Sequence, residues 1–167
     1  MTMLTPMIGE LQQEGATTRR VLERVPADKL SWRPHPTSMS LGQLALHIAM
    51  VPGSLSQLSK LDEFDVSQAT FHAKEAGSLE EILDAHDAGL RAAQDCVCGF
   101  DDSAAAANWR LTRSGQEIFA IPRAAMLRSL MLNHWYHHRG QLAVYLRMLE
   151  VTVPSIYGPS ADENPFA

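Results

Sequence analysis

The most constraining feature of this chain is the segment from Pro122 to about Glu150, where Leu127, Met131, Leu142, Tyr145 and Leu149 recur at helical spacing. Pro122 suits the first position of a helix, and no further proline interrupts the segment, so one continuous helix is expected across it. At 1.5 Å per residue such a helix is roughly 40 Å long. A rod of that length, with one apolar stripe, buries the stripe only against other long elements.

Three other segments offer such partners. The first runs from about Pro6 to Arg24, with Thr5 as its expected cap, a stripe of Leu4, Met7, Leu11, Thr18, Leu22 and Val25, and Pro26 as its stop. The second covers about residues 40–61. Ser40-Leu-Gly-Gln43 has capping-box form, the stripe reads Leu44, His47, Val51, Leu55, Leu58, and Pro52 is expected to bend or break the helix. The third, residues 78–98, opens on a second such box, Ser78-Leu-Glu-Glu81. It carries Leu79, Leu83, His86, Leu90, Ala93 and Val97 on one stripe and ends at Gly99. Pro34 and Pro36 impose an extended path on the loop at residues 26–39. Rough alternation around Ser114-Gly115 predicts a short hairpin within residues 100–121. Residues 151–167, with three prolines, form a tail that either wraps the body or frays. The expected fold is all-α, an antiparallel four-helix bundle in one domain over residues 1–167, with a small hairpin inserted before the last helix.

A chain of 167 residues buries a core without disulfides or structural metals, so a metal bound here would serve function rather than folding. Its net charge of −5 and the lack of any run of four or more basic residues argue against nucleic acid and anionic membranes as partners. No apolar run is long enough to span a bilayer, and the opening Met1-Thr-Met-Leu-Thr-Pro6 lacks a basic start and an apolar stretch. A cytoplasmic protein is expected. Cys96 and Cys98, two positions apart, do not face each other on a helix and read as reduced, structural thiols.

The chemistry concentrates in His134 and His138. Four residues apart, they project from one face of the last helix at the spacing two imidazoles need to reach a common metal ion. They fill the gap in its apolar stripe between Met131 and Leu142, which points them into the bundle. His47 interrupts the stripe of the second helix in the same way. Inward imidazoles need partners, and periodicity leaves two kinds open: core hydrogen bonds to carbonyls or carboxylates, or one shared divalent cation such as zinc, nickel or iron. Other polar groups receive blander readings. His86 either supports a ligand, lines a pocket or packs in the core, and core packing is favoured; His137 lies at a flank or a subunit interface; His35 does not ligate. Asn133 and Gln141 either orient a ligand or pack, Trp32 and Arg33 either line a pocket or pin the proline-rich loop, with pinning favoured, and Trp135 and Tyr136 pack a helix boundary.

The run Ser31-Trp-Arg-Pro-His-Pro-Thr-Ser-Met-Ser-Leu-Gly-Gln-Leu-Ala-Leu-His47 resembles the segment leading to the first metal histidine of the DinB/YfiT-like metalloenzyme family. His134-Trp-Tyr-His-His-Arg-Gly-Gln-Leu142 resembles that family's closing H-x3-H motif, and the likeness extends loosely from Leu4 to about Leu149. The resemblance implies a four-helix bundle, often homodimeric, with His47, His134 and His138 as ligands. The metal would be divalent, zinc or nickel first, with iron or manganese as further choices. It also implies an enzyme that moves a low-molecular-weight thiol such as mycothiol, bacillithiol or glutathione onto a small electrophile, or that hydrolyses one. A metal- or ligand-binding stress protein without turnover, and a dimeric bundle without metal, stand beside that reading.

Overall fold

A computed structural model describes residues 2–69 and 73–166, so Met1 and the last tail residue, Ala167, lie outside the described residues. Four helical rods make the body: α1 (Thr5–Leu22), α2 (Leu41–Leu58), α3 (Leu79–Cys98), and a continuous rod of α5 (Arg123–Met126), a π-helical turn (Leu127–Leu132) and α6 (Asn133–Met148). A short helix α4 (Asp102–Ala106) and three strands, β1 (Glu63–Asp65), β2 (Asn108–Arg113) and β3 (Gln116–Pro122), sit between them. The all-α expectation is therefore corrected: the bundle carries a three-stranded sheet ordered β1-β2-β3.

Local chemistry accounts for most boundaries. The box at Ser40 closes in both directions, its hydroxyl accepting from the Gln43 amide at 3.1 Å and the Gln43 side chain accepting from the Ser40 amide at 2.9 Å. The box at Ser78 closes only halfway. Ser78 caps the Glu81 amide at 3.0 Å, but the Glu81 carboxylate turns to the Gly77 amide and Lys74 instead. Thr5 is the first residue of α1 rather than its cap; Leu4 occupies the cap position without a side-chain bond. Pro52 does not break α2, which runs unbroken from Leu41 to Leu58. One residue on, a Cβ on Gly53 would lie 2.8 Å from the Gly89 Cα, and one on Gly89 would lie 2.8 Å from the Ala49 carbonyl oxygen. These two glycines let α2 and α3 cross backbone to backbone, a contact any side chain would prise apart.

The hairpin forms where alternation predicts it. Ser114 and Gly115 both take positive φ, 51° and 78°, the pairing whose twist matches a two-residue hairpin turn. The Asp65 carboxylate accepts from the amides of Ser114 and Gly115 at 3.0 and 3.1 Å, tying the hairpin tip to β1, which pairs parallel with β2. Trp109 on β2 is buried and donates its indole N–H to the Leu58 carbonyl at 3.1 Å, which fixes the sheet to the end of α2.

Residues 151–166 wrap the body. Asp162 pairs with Arg147 on α6, and Glu163 with Arg20 on α1. Deeper, the Arg139 guanidinium, only 1% exposed, meets Glu14 of α1 at 2.6 Å. It also donates to the Thr18 hydroxyl at 3.0 Å and the Tyr157 hydroxyl at 2.5 Å. Tyr157, itself exposed, in turn donates to Glu14 at 3.1 Å, so α1, α6 and the tail share one network whose Arg139, Glu14 and Thr18 members are buried. Removing one member leaves the other charge buried and unpaired, which costs about 3–5 kcal/mol. Arg139→Ala is expected to lower stability by about that amount in urea denaturation, and Arg139→Met with Glu14→Leu to recover most of it. A loss below about 1 kcal/mol in the single variant would show that the pair does not hold the helices together.

Candidate metal centre

The last rod reaches the site through its π turn. An α-helical period continued from Leu127 and Met131 would place His134 and His138 in the middle of the buried stripe. The observed buried positions are instead Leu127, then Met131 and Leu132 together, then Trp135, Arg139, Leu142 and Leu146. The wider π turn absorbs the additional residue. His134 and His138 therefore stand at the edge of the stripe and are partly exposed, which corrects the expectation that they fill the core. On α2, His47 sits between buried Leu46 and Ile48, likewise partly exposed, and faces them.

The three rings converge. His47 lies 5.2 Å from His134 and 4.6 Å from His138 between ring centroids, and His134 lies 4.4 Å from His138. One nitrogen from each can be chosen so that all three lie within 4.8 Å of one another. The Nε2 atoms of His47 and His134 are 3.0 Å apart. Two imidazole nitrogens on one tetrahedral zinc stand about 3.3 Å apart, given bonds of about 2.0–2.1 Å, so the donor set fits a single ion. His138 donates its Nδ1–H to the Gln141 side-chain oxygen at 2.7 Å, which fixes the tautomer and leaves Nε2 as its donor atom.

The electrostatics agree with that geometry. Burial, then the neighbouring His138 and His134, push His47 down to about 4. His134 is also lowered, by burial first and then by His138 and His137. Burial lowers His138 against an opposing bond from Gln141. All three rings are thus neutral near pH 7, the form a metal requires.

The remaining expected residues fall away from this point. His137 is exposed on the flank of α6, and His35 bonds Thr37 in its loop. Trp32 packs edge-on against Tyr145 at 5.6 Å, while Arg33 bonds the Ser38 carbonyl, so both pin the loop. Asn133 is exposed. Trp135 is fully buried and Tyr136 donates to Glu10 at 2.9 Å, both packing roles. Cys96 is buried against the Ser56 carbonyl, and Cys98 is exposed. Of Asn133 and Gln141, both left between two roles by the sequence, Gln141 is the one that bonds a site histidine.

A helical bundle with three convergent imidazoles defines a class of fold and site. The family model described as "DinB family" matches residues 1–165, and the chain belongs to that family. The fold is similar to that of a DinB-like protein from Bacillus cereus, with a TM-score of 0.67, 23% identity and coverage of 89% of this chain and 94% of that one. A DinB-like protein from Bacillus subtilis gives a TM-score of 0.68 at 18% identity, with 89% and 94% covered. In sequence the chain is 41% identical over 54 residues to uncharacterized protein YrdA of Bacillus subtilis (strain 168), a match spanning 32% of this chain and 30% of that protein. Among the described residues no helix is long and apolar enough to cross a membrane.

His86, on α3, packs in the core as expected. Its ring lies 6.3 Å from Trp135; Nδ1 donates to Asp87 at 3.2 Å, and Nε2 has no partner among the described residues. Burial, partly opposed by Asp87, lowers its pKa below the ordinary 6.5. As pH falls through that value the unfolded chain gains a proton that the folded chain refuses. The stabilising effect is therefore complete above the ordinary value and lost on acidification. In metal-free protein, stability is expected to fall between pH 7.5 and 5.5, with His86→Leu shrinking the drop by about 1 kcal/mol. An unchanged drop in urea titrations would contradict the neutral, buried assignment.

Proposed function

We propose that the protein is a divalent-metal-dependent enzyme, with His47, His134 and His138 as ligands, that transfers a low-molecular-weight thiol to a small electrophilic molecule or hydrolyses one. The observation that carries this reading is the convergence of three neutral imidazole donors from α2 and α6 within 4.8 Å. Three protein ligands leave a coordination position open, the arrangement of catalytic rather than structural sites. When bound, a divalent ion lowers the pKa of a thiol or water at the open position toward neutrality. Around it, the chain's residues have distinct tasks. His47, His134 and His138 hold position, and Gln141 fixes the His138 tautomer. In the transfer, the thiol gives its proton to solvent, its sulfur bonds the electrophilic carbon, and the leaving group departs with the electron pair of the broken bond. A cavity opening directly onto His47 and His134 favours turnover over a metal-binding role alone.

Zinc or nickel suits three imidazoles best, with iron or manganese next. Purified protein is expected to hold about one ion per chain, with His47→Ala or His134→Ala holding almost none. Gln141→Leu is expected to weaken affinity about 10- to 100-fold. Product formation from thiols and electrophiles should disappear with chelator and return with metal. Full metal content in His134→Ala would defeat the assignment, and chelator-insensitive turnover would defeat the mechanism.

A homodimer is part of the proposal. Val144 and Met148, 58% and 54% exposed, stand one turn apart on the outer face of α6 and offer an apolar strip to a second copy. Light scattering is expected to give a dimeric mass, reduced to the monomer by Val144→Lys; a monomeric wild type would refute it.

A further inference from the structure

A cavity of about 460 Å³ begins at His47 and His134 and runs along α2. Its α2 wall is built from residues that share one helical face from Gln43 to Leu58. His47 and Leu58 are eleven residues apart, which makes the wall about 16 Å long between them. The opposite wall comes from β1, β2 and the last rod, where Phe64, Leu111, Met126 and Leu130 line the lumen. Trp109 stands at the Leu58 end, immobilised by its bond to the Leu58 carbonyl and packed 6.3 Å from Phe119. The space is thus a slot, with imidazoles at one end and a fixed indole at the other.

Beyond the imidazoles, the polar side chains among its described lining are Gln43, Ser54, Lys74 and the Trp109 indole. Gln43 is occupied at both ends, by the Ser40 amide and the Ala73 carbonyl. Lys74 is paired with Glu81 at 2.6 Å, and Ser54 is exposed at the rim. The indole N–H is spent on Leu58. Among the described lining residues, the slot therefore offers no unengaged charge to receive a charged group, and burying one there without a partner is costly.

We propose that this slot is the substrate-specificity pocket. It takes an elongated, uncharged hydrocarbon body, alkyl or arylalkyl, whose polar head reaches the His47–His134 end and whose tip meets Trp109. Placing the head there rests on the metal-enzyme reading above; the apolar body and the length limit do not. Trp109 is a specificity-determining residue in this account, because its fixed ring sets the longest chain that fits.

Calorimetry with straight-chain primary alcohols, from butanol to dodecanol, tests the slot in metal-free and in zinc-loaded protein. Affinity is expected to rise about fourfold per added methylene and then level off where the chain meets Trp109. The corresponding terminal diols, which bury a second hydroxyl without a partner, should bind at least about tenfold more weakly. Trp109→Leu should move the plateau to longer chains. Leu55→Trp, at a partly exposed lining position, should move it to shorter ones and decides the matter if the Trp109 variant does not fold. In zinc-loaded protein, octanethiol should bind at least about tenfold tighter than octanol, and in zinc-free protein equally. A flat series, diols as tight as alcohols, or an unmoved plateau in folded Leu55→Trp would overturn the slot even if zinc binds. A length series in metal-free protein upholds it even if zinc does not bind. Equal thiol and alcohol affinity in zinc-loaded protein would overturn the placement of the head.

Discussion

The rotation of α6 about its own axis is the constraint on which the site depends. Neighbouring residues on a helix point about 100° apart, so His134 and His138 face α2 only while Trp135 and Arg139, one position along from each, face the interior. Trp135 is held by apolar packing and Arg139 by the ion pair to Glu14 and the hydroxyls of Thr18 and Tyr157. A charged side chain is an expensive way to fill a core, but its several directed bonds fit only one rotation, which apolar packing specifies less sharply. The arginine of the His138-Arg-Gly-Gln motif thus aims the histidines from the adjoining, inward face of the helix.

The second helix meets the same requirement differently. Its start is fixed by the reciprocal bonds of Ser40 and Gln43, and its crossing with α3 by the mutual approach of Gly53 and Gly89. Between those anchors, His47 falls on the face turned toward α6. The same face supplies one wall of the cavity, so the reactive end and the apolar length of the pocket are set by a single element.

Much of this was legible in the sequence because it is local. Four-residue spacing identified the His134–His138 pair, and Ser-to-Gln spacing marked the start of α2. Ser114-Gly115 marked the turn that only residues tolerant of positive φ can make. What escaped was non-local. β1 is three residues long and pairs with a strand more than forty residues on, so no alternation signals it. The π turn at Leu127–Leu132 leaves no composition signature, yet across it Met131 and Leu132 are both buried, and the stripe then runs through Trp135 and Arg139 with the histidines at its edge. Nothing local marks Arg139 as buried, because its partners Glu14 and Tyr157 come from opposite ends of the chain. The convergence of His47 with the other two depended on the family resemblance, because periodicity cannot say which helices touch.

Anomalous diffraction from a crystal of zinc-loaded protein reaches the central claim most directly. One strong peak within bonding distance of nitrogen atoms from residues 47, 134 and 138 together is the expected result. A zinc peak elsewhere, or one bonded to the two α6 imidazoles while the ring from α2 points away, would contradict it.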